Sequence, residues 1–112
     1  MSELTEKHCS NNPALAPKLD DASAKSMLSA LEADWQLDLE QQLLCRQFEF
    51  KNYYQTMAFA NTVAWVAHQQ DHHPDMTISY RHCRVVYTTH SVKGLSINDF
   101  ICAARIDAQY SR

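Results

Sequence analysis

The chain begins with a stretch that has no regular pattern of hydrophobic positions, and it then changes to helical spacing. Residues 1–19 contain two prolines and two adjacent asparagines, so we expect an irregular N-terminal arm. From Asp20 or Asp21, either of which can cap a helix, apolar residues recur at helical spacing as far as Leu31. In this interpretation residues 20–112 form one domain.

Two pairs of short segments alternate between apolar and polar residues, which is the pattern of half-buried strands. The first pair covers 35–39 and 44–50. The second pair covers 76–81 and 84–89, with a tight turn expected near 81–82. Segments joined this directly pair antiparallel, so the pattern predicts two hairpins.

The longest periodic stretch runs from Lys51 to about Asp71 and predicts a helix, which Pro74 should end. Its apolar residues, Tyr54 and Trp65 among them, cover two neighbouring stripes. We expect core packing for these residues. A stripe this wide also suggests a helix covered by the sheet and by another subunit.

Ser96 and Asp99 form a capping box ahead of an apolar run with helical spacing, and this pattern predicts the start of the last helix. The element order is therefore αββαββα. Two hairpins and three helices in this order predict an α+β fold, with a four-stranded antiparallel sheet and the helices packed on one face.

Composition narrows the possible functions. The 112 residues are 46% hydrophobic and 21% charged, as in a globular protein, and no apolar run is long enough to span a membrane. A net charge of −3 disfavours nucleic-acid binding, and a single glycine excludes a glycine-rich phosphate loop. Without a secretory signal or a C-x-x-C pair, the four cysteines predict reduced thiols in the cytoplasm.

Histidines are the most informative candidates for chemistry. His72 and His73 lie at the corner between the long helix and the second hairpin, and His90 lies at the end of the fourth strand. An antiparallel hairpin brings its two ends together, so these three should converge close to Asp99. Imidazoles titrate near neutral pH, and a group of them is suited to proton transfer.

Other interpretations stay open at this point. His68, His72 and His90 could form a three-histidine metal site, although Gln69 stands where the zinc-protease pattern needs glutamate. Histidines at a helix C-terminus also interact favourably with the helix dipole without any catalytic role. Asp99 could serve the helix cap alone.

Several short motifs occur together along nearly the whole folded part of the chain. They are Asp71-His72-His73-Pro74, Tyr80, Thr89-His90 and Gly94-Leu95-Ser96-Ile97-Asn98-Asp99, with Trp35 and Phe48-x-Phe50-Lys51. This combination resembles the pterin-4a-carbinolamine dehydratase family over about residues 20–108. The N-terminal arm is also similar to arms of bacterial members, but Asn12 stands where some carry a second cysteine, so no metal site is expected there.

The resemblance implies dehydration of 4a-hydroxytetrahydropterin, the product of aromatic amino-acid hydroxylases, to quinonoid dihydropterin and water. It implies no metal and no bound cofactor. By match to the family motif, the catalytic candidates are His72, His90 and Asp99. The substrate-binding candidates are His73, Pro74 and Thr89.

One position departs from the family pattern. Many members carry an acidic residue where this chain has His68, so the roles around His72 could be shared differently, with Asp71 helping. The resemblance also implies a homodimer or homotetramer and functional coupling to an aromatic amino-acid hydroxylase. The alternatives are a protein-binding dimerisation cofactor for a transcription factor and a dehydratase-like protein of molybdopterin metabolism.

Overall fold

A computed structural model describes residues 3–110, and the first two and last two residues of the predicted arm and domain lie outside that range. The helices are α1 (Asp21–Leu28), α2 (Tyr53–Gln70) and α3 (Ile97–Gln109). The strands are β1 (Gln36–Asp38), β2 (Leu43–Glu49), β3 (Asp75–Ile78) and β4 (His82–Tyr87). The predicted order αββαββα is confirmed. Within residues 3–110 no helix combines the length and apolar character that a membrane span requires.

The four strands form one antiparallel sheet in the order β1-β2-β4-β3. The two central strands pair over most of their length, with Leu44 opposite Tyr87 and Phe48 opposite Cys83. The turn of the second hairpin lies at residues 79–81, slightly earlier than predicted, and the backbone N–H of Ser79 donates to the carbonyl of His82 at 2.9 Å. The sheet is therefore the predicted one.

The hydrophobic core lies between the two central strands and the helices. Phe48 contacts Phe59 of α2 with ring centroids 4.3 Å apart, and Tyr110 approaches both rings. From α3 the core receives Phe100, Ile101 and other residues that are almost completely buried. Alternate residues of β2 and β4 point to this side, which is the burial expected for strands with one covered face.

Helix α2 begins and ends at side chains that suit its termini. Asn52 caps the start, and its side-chain oxygen accepts from the backbone N–H of Gln55 at 2.9 Å. The helix ends because Asp71 adopts the left-handed conformation, with φ of 53°, which aspartate tolerates better than most residues. The helix ends close to the predicted boundary near Asp71, and Pro74 follows three residues after that residue.

The prediction of core packing along α2 is wrong for two of its aromatic residues. Phe59 and Val63 are buried, but Tyr54 is 82% exposed and Trp65 is 59% exposed. One helix has only one face toward its own sheet, so the outer stripe of a wide apolar pattern remains on the surface of a single chain.

The N-terminal arm lies against the rest of the chain through a few apolar side chains. A short 3₁₀ turn over Glu3–Glu6 places Leu4 in the core, and Ala16 is also buried. The arm then joins the domain through the backbone N–H of Leu19, which donates to the carbonyl of Leu95 at 2.7 Å. Its path between these points passes the predicted histidine cluster.

Candidate active site

The centre of the candidate site is the carboxylate of Asp99, in the first turn of α3. The side chain is completely buried, and one oxygen lies 2.7 Å from Nε2 of His72. The other oxygen accepts from the Thr89 hydroxyl at 2.8 Å and from the backbone N–H of Ser96 at 3.0 Å. A buried carboxylate is costly unless its oxygens are satisfied, and these donors provide that compensation. The predicted capping box is confirmed, and the same carboxylate also contacts a histidine.

His72 is positioned by the way in which α2 ends. The left-handed residue Asp71 turns the chain, and the backbone N–H of His72 still donates to the Ala67 carbonyl at 3.2 Å. The imidazole stacks on Tyr87 with ring centroids 5.6 Å apart and an angle of 14°. When His72 is neutral and donates from Nε2 to Asp99, Nδ1 is left as the proton acceptor.

Thr89 is held where its hydroxyl can contact Asp99. Its backbone pairs with Gly94, since the N–H of Thr89 donates to the Gly94 carbonyl at 2.8 Å. The Thr89 hydroxyl donates to Asp99, so the Ser96 hydroxyl, 2.8 Å away, must donate to it. A directed chain of hydrogen bonds therefore runs from Ser96 through Thr89 to Asp99.

A cavity of about 170 Å³ opens beside this hydrogen-bond network. From the second half of the chain its lining residues are Asp71, His72, His73, Thr88, Thr89, His90, Ser91 and Asn98. The structure therefore brings His72, His73 and His90 to one cavity. This is the convergence expected for residues at the two ends of a hairpin. His90 begins a short 3₁₀ turn and is exposed to solvent, whereas His72 is half-buried.

Three of the predicted site residues lie outside the lining of this cavity. Asp99 is completely buried and contacts the lining residues His72 and Thr89 from behind. His68 is exposed on α2, where its ring stacks on Trp65 with centroids 5.3 Å apart. Pro74 is half-buried just beyond the cavity wall. Over residues 3–110 no three histidine, cysteine or carboxylate side chains are grouped closely enough to hold a metal ion.

Sequence analysis missed the contribution of the arm to the cavity. The other part of the lining consists of Ser10, Asn11, Pro13 and Ala16. Their pattern carries no periodic signal, so the sequence offered only the adjacent asparagines as a sign of specific turns. Asn12 does form such a turn, since its side chain accepts from the backbone N–H of Ala14 at 2.9 Å.

Two thiols lie behind His72. Sγ of Cys9 in the arm is 3.6 Å from Sγ of Cys102 in α3, and Cys102 also lies 3.8 Å from the His72 carbonyl. The hydrogen bond with Cys9 and burial both raise the pKa of Cys102. Burial likewise raises the pKa of the neighbouring Tyr87 hydroxyl. Both groups therefore stay protonated and uncharged near neutral pH, and they add no charge beside Asp99.

Comparison with known proteins identifies the family of this chain. Residues 17–109 match the sequence model of the family described as pterin 4 alpha carbinolamine dehydratase. A relative from Nitrosomonas eutropha, named provisionally as a pterin-4-alpha-carbinolamine dehydratase, is 52% identical over 94% of this chain and 91% of its own. A relative from Legionella pneumophila with the same provisional name is 42% identical over 95% of this chain and 94% of its own. The chain belongs to the pterin-4a-carbinolamine dehydratase family.

Solved structures share the fold. A Brucella melitensis protein described as a transcriptional coactivator/pterin dehydratase has a TM-score of 0.76 and 28% identity, covering 81% of this chain and 96% of its own. A pterin dehydratase-like protein described as a RuBisCO assembly factor of the α-carboxysome has a TM-score of 0.59 and 22% identity. It covers 69% of this chain and 89% of its own, and at this identity the likeness concerns the fold alone. The fold therefore serves proteins with different described roles.

Proposed function

We propose that this protein dehydrates a 4a-hydroxytetrahydropterin to the quinonoid dihydropterin and water by histidine acid–base catalysis. The observation that carries the proposal is the contact between His72 and the buried carboxylate of Asp99, beside a cavity that His73 and His90 also line. Family membership supplies the substrate class. We further propose that the reaction regenerates the pterin used by an aromatic amino-acid hydroxylase.

In this mechanism His72 acts as the general base. Its Nε2–H is engaged by Asp99, so Nδ1 carries the lone pair that can accept the proton from N5 of the pterin. Asp99 fixes the tautomer and stabilises the imidazolium that forms, as the carboxylate does in an acid–base triad. The lone pair left on N5 forms the double bond to C4a.

His90 acts as the general acid. In its protonated form it donates to the 4a-hydroxyl, so the C4a–O bond breaks and water leaves. His90 is exposed at the rim of the cavity and can recover a proton from solvent after each turnover. Proton transfer by a positioned side chain contributes about 10²–10⁴-fold to a rate, and this reaction uses two such transfers.

The remaining residues bind or position in this proposal. His73 contacts the pterin from the cavity wall, with Pro74 stiffening the chain behind it. Thr89 lines the cavity, and because its hydroxyl is engaged by Asp99 and Ser96, its main role is to position Asp99. Asp71 orients His72 through its backbone conformation, and His68, which is exposed on α2 outside the cavity lining, has no role in this mechanism.

A direct assay tests this function. Pure protein is mixed with freshly made 4a-hydroxytetrahydropterin, and dehydration is followed against the spontaneous rate. We expect acceleration that survives exhaustive chelation, and a His73→Ala variant with a larger change in KM than in kcat. Absence of acceleration would refute the proposal, and activity lost on chelation and restored by zinc would refute its metal-free mechanism.

A second role is suggested by the outer face of α2. Tyr54 and Trp65 are exposed there, and an exposed aromatic stripe on a helix suits contact with another protein chain. We propose that this face joins two or more copies of the chain into a homodimer or homotetramer. Light scattering should therefore give a multiple of 12.9 kDa for the wild type, and a clean monomer at micromolar concentration would refute the assembly.

A further inference from the structure

The arm is fastened to three residues that each stand next to a candidate site residue. The backbone N–H of Cys9 donates to the side chain of Gln70 at 2.8 Å. The side chain of Asn11 donates to Asp71 at 2.6 Å, immediately before His72. Asn98, immediately before Asp99, holds Ser10. The arm and the site are thus joined through shared anchor points at the ends of α2 and α3.

Asn98 makes the most specific of these contacts. Its side-chain oxygen accepts from the backbone N–H of Ser10 at 3.1 Å, and its side-chain nitrogen donates to the carbonyl of Ser10 at 2.8 Å. Both polar atoms of the amide are therefore spent on one residue of the arm. Asn98 is only 3% exposed with the arm in place, so both hydrogen bonds to Ser10 are shielded from water.

The segment held in this way forms one side of the cavity. Ser10, Asn11, Pro13 and Ala16 line it together with the histidines. Pro13 and Ala16 offer apolar surface without side-chain donors or acceptors, whereas Ser10 and Asn11 are polar. An apolar wall with a polar edge suits a flat heterocycle that has hydrogen-bonding groups along one rim.

We propose that the arm segment 10–16 is part of the substrate-binding site and that Asn98 is the positioning residue that keeps it there. This inference rests on the proposed function for the identity of the ligand, a reduced pterin. The arm binds the ring against the imidazoles and does not take part in proton transfer. Its loss should therefore weaken binding and leave the chemical step nearly intact.

The arm is closed when Ser10 is hydrogen-bonded to Asn98. The apparent affinity for the pterin is proportional to the fraction of molecules in this closed state. Removing two ordinary hydrogen bonds shifts such an equilibrium by about 1–3 kcal/mol, which corresponds to roughly 5–150-fold. We therefore expect KM to rise in Asn98→Ala by a factor of up to that size, with kcat changed less than about threefold.

The experiment compares two loosened arms with a matched control. Asn98→Ala and Gln70→Ala release the arm from different helices, and Gln109→Ala removes an amide in the same way at an exposed position of α3 outside the cavity. For each protein, KM and kcat are measured, and binding of a stable dihydropterin is measured by calorimetry. Trypsin cleavage at Lys7 and Lys18, which flank the segment, reports release of the arm without any ligand.

The expected result is weaker dihydropterin binding, raised KM and faster cleavage in both loosened variants, with the control like the wild type. Unchanged affinity in both variants, or a fall in kcat alone, would overturn the role of the arm while leaving the dehydratase proposal intact. A wild type that binds the dihydropterin but accelerates no dehydration would overturn the proposed function alone. A wild type that neither binds nor reacts would overturn both.

Discussion

Helix α3 carries a buried carboxylate near its start and a partly buried one near its end, and the two accept hydrogen bonds from similar sets of donors. Asp99 accepts from His72, from Thr89 and from a backbone N–H. Asp107 accepts from the Trp35 indole at 2.8 Å, from Arg46 at 2.8 Å and from the backbone N–H of Glu32 at 3.1 Å. Each carboxylate therefore has three donors, yet only the first lies among histidines that line a cavity.

The difference lies in what the charged partner can do. A guanidinium keeps its proton at every pH a protein meets, so the Arg46–Asp107 pair can only hold β2, α3 and the segment before β1 together. An imidazole can gain and lose its proton near neutral pH, so the same carboxylate arrangement around His72 can serve proton transfer. A buried carboxylate with three donors thus indicates a site only when one partner can titrate.

The largest effect is expected from Asp107→Ala, which leaves the buried Arg46 guanidinium without its best partner. Removing one member of a buried ion pair destabilises a protein by about 3–5 kcal/mol, and the remaining contact of Arg46 with Asp34 places this case near the lower end. Urea unfolding should show this loss while kcat stays close to wild type.

The paired replacement Arg46→Met with Asp107→Leu is the control, since it removes both charges at once and should recover part of that stability. A large fall in kcat for folded Asp107→Ala would contradict the separation between the two ends of α3.

Next in size are the histidine replacements. His72→Ala and His90→Ala should each lower kcat by at least about tenfold, the low end of what a proton-transfer group contributes. The double variant should lose less than the product of the two single losses, because groups that act as one unit are not additive. The wild-type rate should fall at both low and high pH. Near-wild-type turnover in the double variant would refute the acid–base assignment.

Asp99→Asn should destabilise the protein less than Asp107→Ala does, and it should clearly lower kcat. The amide keeps the size of the side chain but cannot stabilise an imidazolium, so kcat should fall even though the protein folds. Partial loss of the cap should destabilise α3 by about 1 kcal/mol, which thermal melting would register. Equal rates for wild type and Asp99→Asn would show that Asp99 serves only as part of the helix cap and has no role in the reaction.

The smallest expected effect is the change in the free energy of unfolding that accompanies the titration of Asp107. Burial raises the pKa of this carboxyl above the usual 3.8, more than its hydrogen bonds from Trp35 and Glu32 and the charge of Arg46 lower it. The folded state therefore binds this proton more tightly than the unfolded state does. Relative to Asp107→Asn, the free energy of unfolding should decrease as pH rises from about 3.8 through the raised pKa, and then stay constant. Urea unfolding at several pH values measures this, and an increase over that window would contradict it.

Much of the fold was predictable because the sequence patterns that indicate it involve residues close together in the chain. Alternation with period two predicted all four strands, and the Ser96–Asp99 capping box predicted where α3 begins. Two local features were not decided by these patterns. The end of α2 depends on the left-handed conformation of Asp71, which no periodic pattern reports, and the exposure of Tyr54 and Trp65 depends on which side of α2 meets the sheet.

The sequence by itself determined the element order and the presence of several histidines at the ends of one hairpin, because periodicity and chain connectivity decide both. Only the tertiary structure decided that His72 hydrogen-bonds to Asp99 and that the Thr89 hydroxyl donates to the same carboxylate. Likewise, it decided that His68 stacks on Trp65 and lies outside this group. It also decided that the arm lines the cavity. These contacts join residues far apart in the chain through single hydrogen bonds, and such bonds depend on three-dimensional packing that leaves no pattern along the sequence.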